Sequence, residues 1–368
     1  MLCMVGLILL GVLNVVTAPY TRGLFILGRP LFGVTLALVL TDRARRRGGL
    51  DQVLLATALL ALLVGLLAIT SSQWIEKSWQ LQFIVDRLPR WSGFPGAEGG
   101  FNVNEIGGAM AWLIPAAGAI AIHDWRERRT GWQPPLRRWS AGVGFALMWA
   151  ALFVGQSRFA IVGVWGAMLV IVILLIPRGR WRIAALIMLA LFALLEVALV
   201  SKVFDAQAEI TIGRDETSIN GRLQIWDSAL AAIGDYPLTG VGMNMFRSAP
   251  VRERYPVPVF ADRILPHAHN ELLQVGADLG VPGMIVFAAL QLAAAGMVWR
   301  ILRAGDRNSI RYAAALAAGG ALAAHAFFGL GDAITLWDRF AFVSWWMIGL
   351  AAAAHCAWQN DTSISRNL

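Results

Sequence analysis

The chain has 368 residues, 58% of them hydrophobic and 15% charged, with a mean hydropathy of +0.61. Roughly a quarter of the residues of a soluble globular domain are charged, so this composition excludes one and predicts an all-α polytopic helical membrane protein. The formal net charge of +8 is concentrated in short loops between apolar runs, so it reads mostly as a topology signal rather than as a nucleic-acid-binding surface.

In chain order, about ten apolar stretches approach the length that crosses a bilayer core. They lie near 2–16, 24–40, 52–70, 106–122, 140–154, 159–176, 183–200, 281–299, 312–330 and 341–357. The first lacks a basic amino-terminal region, so it reads as a span rather than a cleaved signal peptide. Arg43, Arg45, Arg46 and Arg47 fill one loop. Arg126, Arg128, Arg129, Arg137 and Arg138 fill a second, Arg178, Arg180 and Arg182 a third, and Arg300, Arg303, Arg307 and Arg311 a fourth. These loops alternate along the chain and fall on one side, which the positive-inside rule makes cytoplasmic. Both termini are then cytoplasmic, and two long loops, about 71–105 and about 201–280, are external. The chain divides into a membrane region over 1–200, a large partly helical external loop over 201–280, and a second membrane region with a cytoplasmic tail over 281–368. Cys3 and Cys356 fall in predicted spans, with neither a disulfide nor a metal-type spacing implied.

Within the large loop, "NGRLQIWDSALAAIGDYPLTGVG" predicts a helix capped by Asn220 and ended by Gly234 and Pro237. Leu223, Trp226, Leu230 and Ile233 form its apolar stripe, with Arg222 one turn before Trp226. Such a helix resting on the membrane with a snorkelling arginine is the plainest reading. "GVGMNMF" has two glycines of a dinucleotide fingerprint but not the third, and an external loop is the wrong place for one.

Further on, "PHAHNELLQVGADLGVPG" places two of the five histidines, His267 and His269, directly before an apolar run. Gly276, Gly280 and Gly283 lie at helical spacing on one face, where another helix can approach closely. A straight helix from Glu271 to Trp299 would exceed the bilayer core of about 30 Å. A short outer helix bending into a span near Gly280-Val281-Pro282-Gly283 fits better. Upstream, "GQSRFA" places Arg158 in a short external turn between two spans, where it either snorkels to headgroups or points into a cavity. Arg158, Arg222 and His269 on one side suggest a site for an anion, and the planar guanidinium fork suits phosphate oxygens.

Three features occur together in this order: Ser157-Arg158 after an apolar span, then Gly221, Arg222, Trp226, Pro237, Gly240, Gly242 and Phe246, then His269-Asn270 followed at fixed spacing by Gly280 and Gly283. This arrangement resembles the bacterial O-antigen ligase family and its superfamily relatives, the O-antigen polymerases and pilin-type protein O-oligosaccharyltransferases. The resemblance implies a multi-pass transferase of the bacterial cytoplasmic (inner) membrane, acting on the external, periplasmic face. Its donor would be a glycan on undecaprenyl pyrophosphate and its acceptor a hydroxyl of lipid A–core or of another glycan. His269 is then the expected general base. Arg158, Arg222, Trp226, His267 and Asn270 are the expected substrate-binding residues, and Asn270 or Glu271 can orient the His269 ring. Direct displacement would invert the anomeric carbon.

No cofactor and no metal are expected. His267 and His269 form half of a metal site whose third ligand, Asp262 or Glu271, nothing in the sequence specifies. The acidic residues of the first external loop, Asp86, Glu98 and Glu105, form no tight pair of the kind used by metal-dependent membrane glycosyltransferases. Chain extension on the lipid carrier and transfer to a protein are the enzyme alternatives. A solute transporter is the alternative outside catalysis, but no internal repeat is visible. Arg29 is the one charge that could lie within a span.

Overall fold

The computed structural model describes residues 1–21, 23–74, 81–127, 133–191, 193–194, 219–258 and 265–366. The architecture is helical: α1 (Leu2–Thr17), α2 (Gly28–Arg45), α3 (Gly49–Ser71), α4 (Gln82–Val85), α5 (Val103–Glu127), α6 (Gln133–Gly155), α7 (Arg158–Leu175) and α8 (180–191). There follow α9 (Ile219–Asp235), α10 (Ala249–Arg254), α11 (Glu271–Ala304), α12 (Ile310–Phe328) and α13 (Ala341–Arg366). Two short parallel strands, β1 (Ser72–Gln73) and β2 (Phe101–Asn102), pair Ser72 with Phe101 and Gln73 with Asn102.

Among the described residues, seven helices are long and apolar enough to cross a membrane: Leu24–Arg45, Gly49–Ser71, Val103–Glu127, Pro134–Gly155, Arg158–Leu175, Glu271–Ala304 and Ala341–Asn360. Each coincides with a span expected from the sequence, and the chain is an all-α polytopic membrane protein. Of the other three expected spans, α1 is a shorter apolar helix of 16 residues. Helix α12 has 19 residues but carries Arg311 and His325 among its alanines. The stretch near 183–200 runs into residues outside those described, as do Arg128, Arg129 and the start of the large loop.

The chain forms two compact units. One comprises the described parts of Leu36–Val203, Ala294–Phe327 and Val343–Leu368. Here α3 packs on α6, and α5 lies against α3, α6 and α7. A β-carbon on Gly144 would lie 2.6 Å from the Leu62 backbone nitrogen, which shows how closely α3 and α6 cross. At one end, Arg137 is 1% exposed, with Nε and Nη2 donating to Asp124 at 2.6 and 2.7 Å and Nη1 to Asp51 at 2.9 Å. A buried guanidinium satisfied by two carboxylates ties α3, α5 and α6 together without leaving a bare charge.

The other unit comprises Met1–Thr35, the described part of Phe204–Ala293, and Phe328–Phe342. Its core is the large loop folded on itself: Ile225, Ala229 and Ala232 of α9 pack with Val241, Phe246 and Ala277. This corrects the apolar stripe read from the sequence. Leu223 and Leu230 are 47% and 53% exposed while Ile233 is buried, and the buried face is turned by about a third of a turn around the helix. Alanines at 229 and 232 let α9 approach closely where leucines would hold it off. Helix α9 ends at Asp235 ahead of Pro237, as expected, but begins at Ile219, before the residue expected to cap it; the Asn220 side chain is outside the described set.

Asn14 anchors the folded loop to α1. Its Nδ2 donates to the carbonyls of Thr239 (2.6 Å) and Asp278 (2.9 Å), and its Oδ1 accepts from the Met243 backbone N–H (3.0 Å). Arg29 donates to the Trp337 carbonyl, so the unit's own backbone supplies this charge with an acceptor. The bend expected in α11 is present: Gly280 has φ 71° and ψ −171°, interrupting the helix. A β-carbon there would lie 2.6 Å from the Pro237 carbonyl, which instead accepts the Val281 N–H at 2.8 Å. Only glycine combines that dihedral with that approach.

Candidate active site

The outer half of α11 positions the site. Asn270 is its cap: its Oδ1 accepts from Leu273 N–H (3.0 Å), while its Nδ2 donates to the Leu330 carbonyl (3.3 Å). The Glu271 N–H donates to Gly329, so the loop 329–340 is pinned to the start of α11. One turn further along α11, Gln274 accepts from Ala268 N–H at 2.8 Å and donates to Asp278 Oδ2 at 3.0 Å. Asp278 also accepts from Trp337 Nε1 (2.7 Å) and from the Asn244 N–H (3.0 Å). One buried carboxylate thereby fixes three segments, 244–248, 268–270 and 332–338, around the histidines.

His269 is buried and has φ 47°, a left-handed conformation uncommon outside glycine. Its backbone N–H donates to His267 Nδ1 (3.2 Å), and its carbonyl accepts from Trp226 Nε1 of α9 (3.3 Å). Gln156, directly before Ser157-Arg158, and Asn244 also have positive φ. Non-glycine residues held this way concentrate at functional sites, because the surroundings must over-determine them.

Asp332 is what the sequence reading missed. It lies 63 residues after His269, and its Oδ1 is 3.2 Å from His269 Nδ1 and 3.4 Å from His267 Nε2, while also accepting the Ala333 N–H at 2.9 Å. The tautomers follow from these contacts. His267 Nδ1 is an acceptor, so its proton is on Nε2, facing Asp332. His269 places Nδ1–H toward Asp332, which makes Nε2 its basic nitrogen. Asp332 orients the ring. The signal was in the sequence, since Asp332 and Asp338 are charges in a short loop between two apolar spans, as Arg158 is.

Burial would raise the Asp332 pKa, but the His269 hydrogen bond, the neighbouring imidazoles and the Ala333 N–H outweigh it and hold the carboxyl well below the usual range. Burial, together with the adjacent His269, pushes His267 down to about 4. Nearby, Arg247 pairs with Asp338 at 3.1 Å, and Asp338 also accepts the Thr335 N–H.

Residues 143–288 match the model of the O-antigen ligase family. This stretch is similar to the O-antigen ligase family. No curated protein matches the chain. The matched stretch includes Arg158, Arg222, Trp226, His267, His269 and Asn270, and the similarity supports glycan transfer of ligase or polymerase type, with lipid-linked glycan and acceptor substrates in general. Asp332 lies beyond the matched residues, so no pattern confined to them could have located it.

The structure brings Trp226, His267, His269 and Asn270 of the matched stretch together. Arg222 is half-buried, one turn before Trp226 on α9, so it projects from the helix that holds the His269 backbone. Arg158 begins α7, in the other unit. His267, His269 and Asp332 also bring one potential ligand atom each within 4.8 Å of one another. Asp332, rather than Glu271, would complete a metal trio; Asp262 is outside the described residues. A cation there would take His269 Nδ1 and put the ring proton on Nε2, so metal binding in this geometry and base catalysis by Nε2 exclude each other.

Proposed function

We propose that this protein transfers a glycan from undecaprenyl pyrophosphate to an acceptor hydroxyl of lipid A–core, without a metal, at the periplasmic face of the bacterial inner membrane. The observation that carries this reading is the pairing of His269, inside the stretch similar to O-antigen ligases, with Asp332 beyond it. His269 Nε2 removes the proton of the acceptor hydroxyl. The acceptor oxygen bonds to the anomeric carbon as the bond from that carbon to the pyrophosphate oxygen breaks, with inversion, and polyprenyl pyrophosphate leaves. The imidazolium so formed faces the Asp332 carboxylate, which holds the ring and offsets its charge. Arg222 and Arg158 neutralise charge building on the leaving pyrophosphate; Arg158 is assigned on the sequence pattern alone. Trp226 offers a ring face to a sugar. Alongside, a groove of about 690 Å³ lined only by apolar residues, among them Leu9, Leu13, Leu238, Val281 and Ile285, suits the polyprenyl tail.

Purified protein incubated with carrier-linked glycan and candidate acceptors tests this reading. Product on lipid A–core supports it. Extension of carrier-linked chains would instead mean polymerase activity, and product on a protein would mean an oligosaccharyltransferase. Flux of a solute across vesicles without any glycan transfer would favour the transporter.

Two further results are expected. Cysteine at position 269 should react with an impermeant thiol reagent from outside, and cysteine at 45, 128 or 303 only from inside; labelling of 269 solely from inside overturns the topology and the mechanism. Asp332→Asn should keep the fold but present the wrong ring tautomer, lowering the transfer rate by about 10²–10⁴-fold with little change in donor binding. A rate within a few-fold of wild type would mean that Asp332 only packs against the ring.

A further inference from the structure

The chemistry above makes no use of Arg252. It lies in α10, with its guanidinium stacked 3.8 Å over the Phe246 ring. Its Nε, Nη1 and Nη2 are all buried, with no hydrogen-bond partner among the described residues. Neighbouring arginines are matched to carboxylates: Arg247 to Asp338 at 3.1 Å, and exposed Arg254 to Asp235 at 3.0 Å. One turn before Arg252 on the same helical face, the Ser248 hydroxyl is likewise buried and unpartnered.

A ring under the guanidinium satisfies its face but not its edges. The five N–H groups lie in the guanidinium plane, and a cation–π stack leaves them without acceptors. Buried polar groups in folded proteins are almost always hydrogen-bonded, and exceptions mark places where something else binds. Burial pulls the Arg252 pKa down only to about 10, so the group is still cationic at neutral pH. A planar fork with a hydroxyl beside it is complementary to an oxyanion.

We propose that Arg252 and Ser248 form an oxyanion-recognition point that takes a phosphoryl or carboxylate group, distinct from the contact assigned to Arg222. That the group belongs to the glycan substrate rests on the proposed function; oxyanion binding itself does not. Two sources share this chemistry, the pyrophosphate of the donor and an acidic substituent on a sugar.

The test reads binding to the purified full-length protein in detergent by calorimetry and thermal shift, with inorganic pyrophosphate, inorganic phosphate and glucuronate as probes. Wild type should bind at least one of them. Arg252→Gln should weaken that binding at least tenfold and Ser248→Ala several-fold, while Arg254→Gln leaves it unchanged. Loss of pyrophosphate binding in both Arg252→Gln and Arg222→Gln assigns the group to the donor. Loss of phosphate or glucuronate binding in Arg252→Gln alone assigns it to a sugar substituent. Arg252→Met guards against misfolding, since it keeps the contact with Phe246 and removes the buried charge. It should unfold at a higher temperature than wild type without a probe and gain nothing from oxyanions. Failure of wild type to bind any probe, or wild-type affinity in Arg252→Gln or Arg252→Met, overturns the proposal. No transfer reaction is involved, so the result stands apart from success or failure of the ligase assay.

Discussion

Replacing His269 with alanine is expected to lower glycan transfer by about 10²–10⁴-fold, the usual contribution of a general base, while leaving expression and thermal stability close to wild type. The ring faces Asp332 and the His267 ring, whereas the segment around it is fixed by Gln274, Asn270 and Trp226. His267→Ala should lose less. It removes the acceptor of the His269 N–H and one donor to Asp332, but it leaves Nε2 of His269 in place. Transfer by wild type should fall on acidification, because only the neutral imidazole accepts a proton.

Stability should fall on acidification too, for a separate reason. His267 titrates at about 4 in the fold against 6.5 for an ordinary histidine, so between those values the unfolded chain binds a proton that the folded one refuses, and stability declines as pH drops through that window. Asp332, held lower than an ordinary carboxylate, adds stability above its unfolded pKa that is lost at still lower pH. Transition midpoints taken from pH 7.5 down to 4.5 should show the decline, and His267→Gln should flatten it. A chelator control completes the set: full inactivation by chelator would replace base catalysis with the metal trio of His267, His269 and Asp332, and an active His269→Ala protein would overturn both.

The second large effect is expected at the arginines. Arg222→Ala and Arg158→Ala should each reduce transfer by about 10²-fold or more, as removal of one charge-stabilising donor does elsewhere. Lysine should restore little at either position, because a point charge cannot reproduce two parallel N–H contacts to a phosphate. Steady-state rates with varied donor, alongside expression and melting of each variant, separate the outcomes. Full activity in either alanine variant would mean that the residue only snorkels to headgroups.

The membrane class, the positions of most spans and the bend at Gly280 were legible in the sequence, since each depends on local chemistry. Apolar length has to match bilayer thickness, and glycine and proline close together favour a bend in a helix. His269 was legible for a related reason: its spacing to Gly280 and Gly283 is set within one helix and its bend. The buried face of α9 was not. Leu223 and Leu230 have the right periodicity, but Ala229 and Ala232 win the core because Val241, Phe246 and Ala277 need a close approach. Asp332 was out of reach in the same way. Its partnership with His269 spans 63 residues and exists because Asn270, Glu271 and Asp278 fasten the loop 329–340 to α11. Periodicity reports what one element does by itself; which ring meets which carboxylate is decided when separate elements pack, and only the tertiary structure holds that.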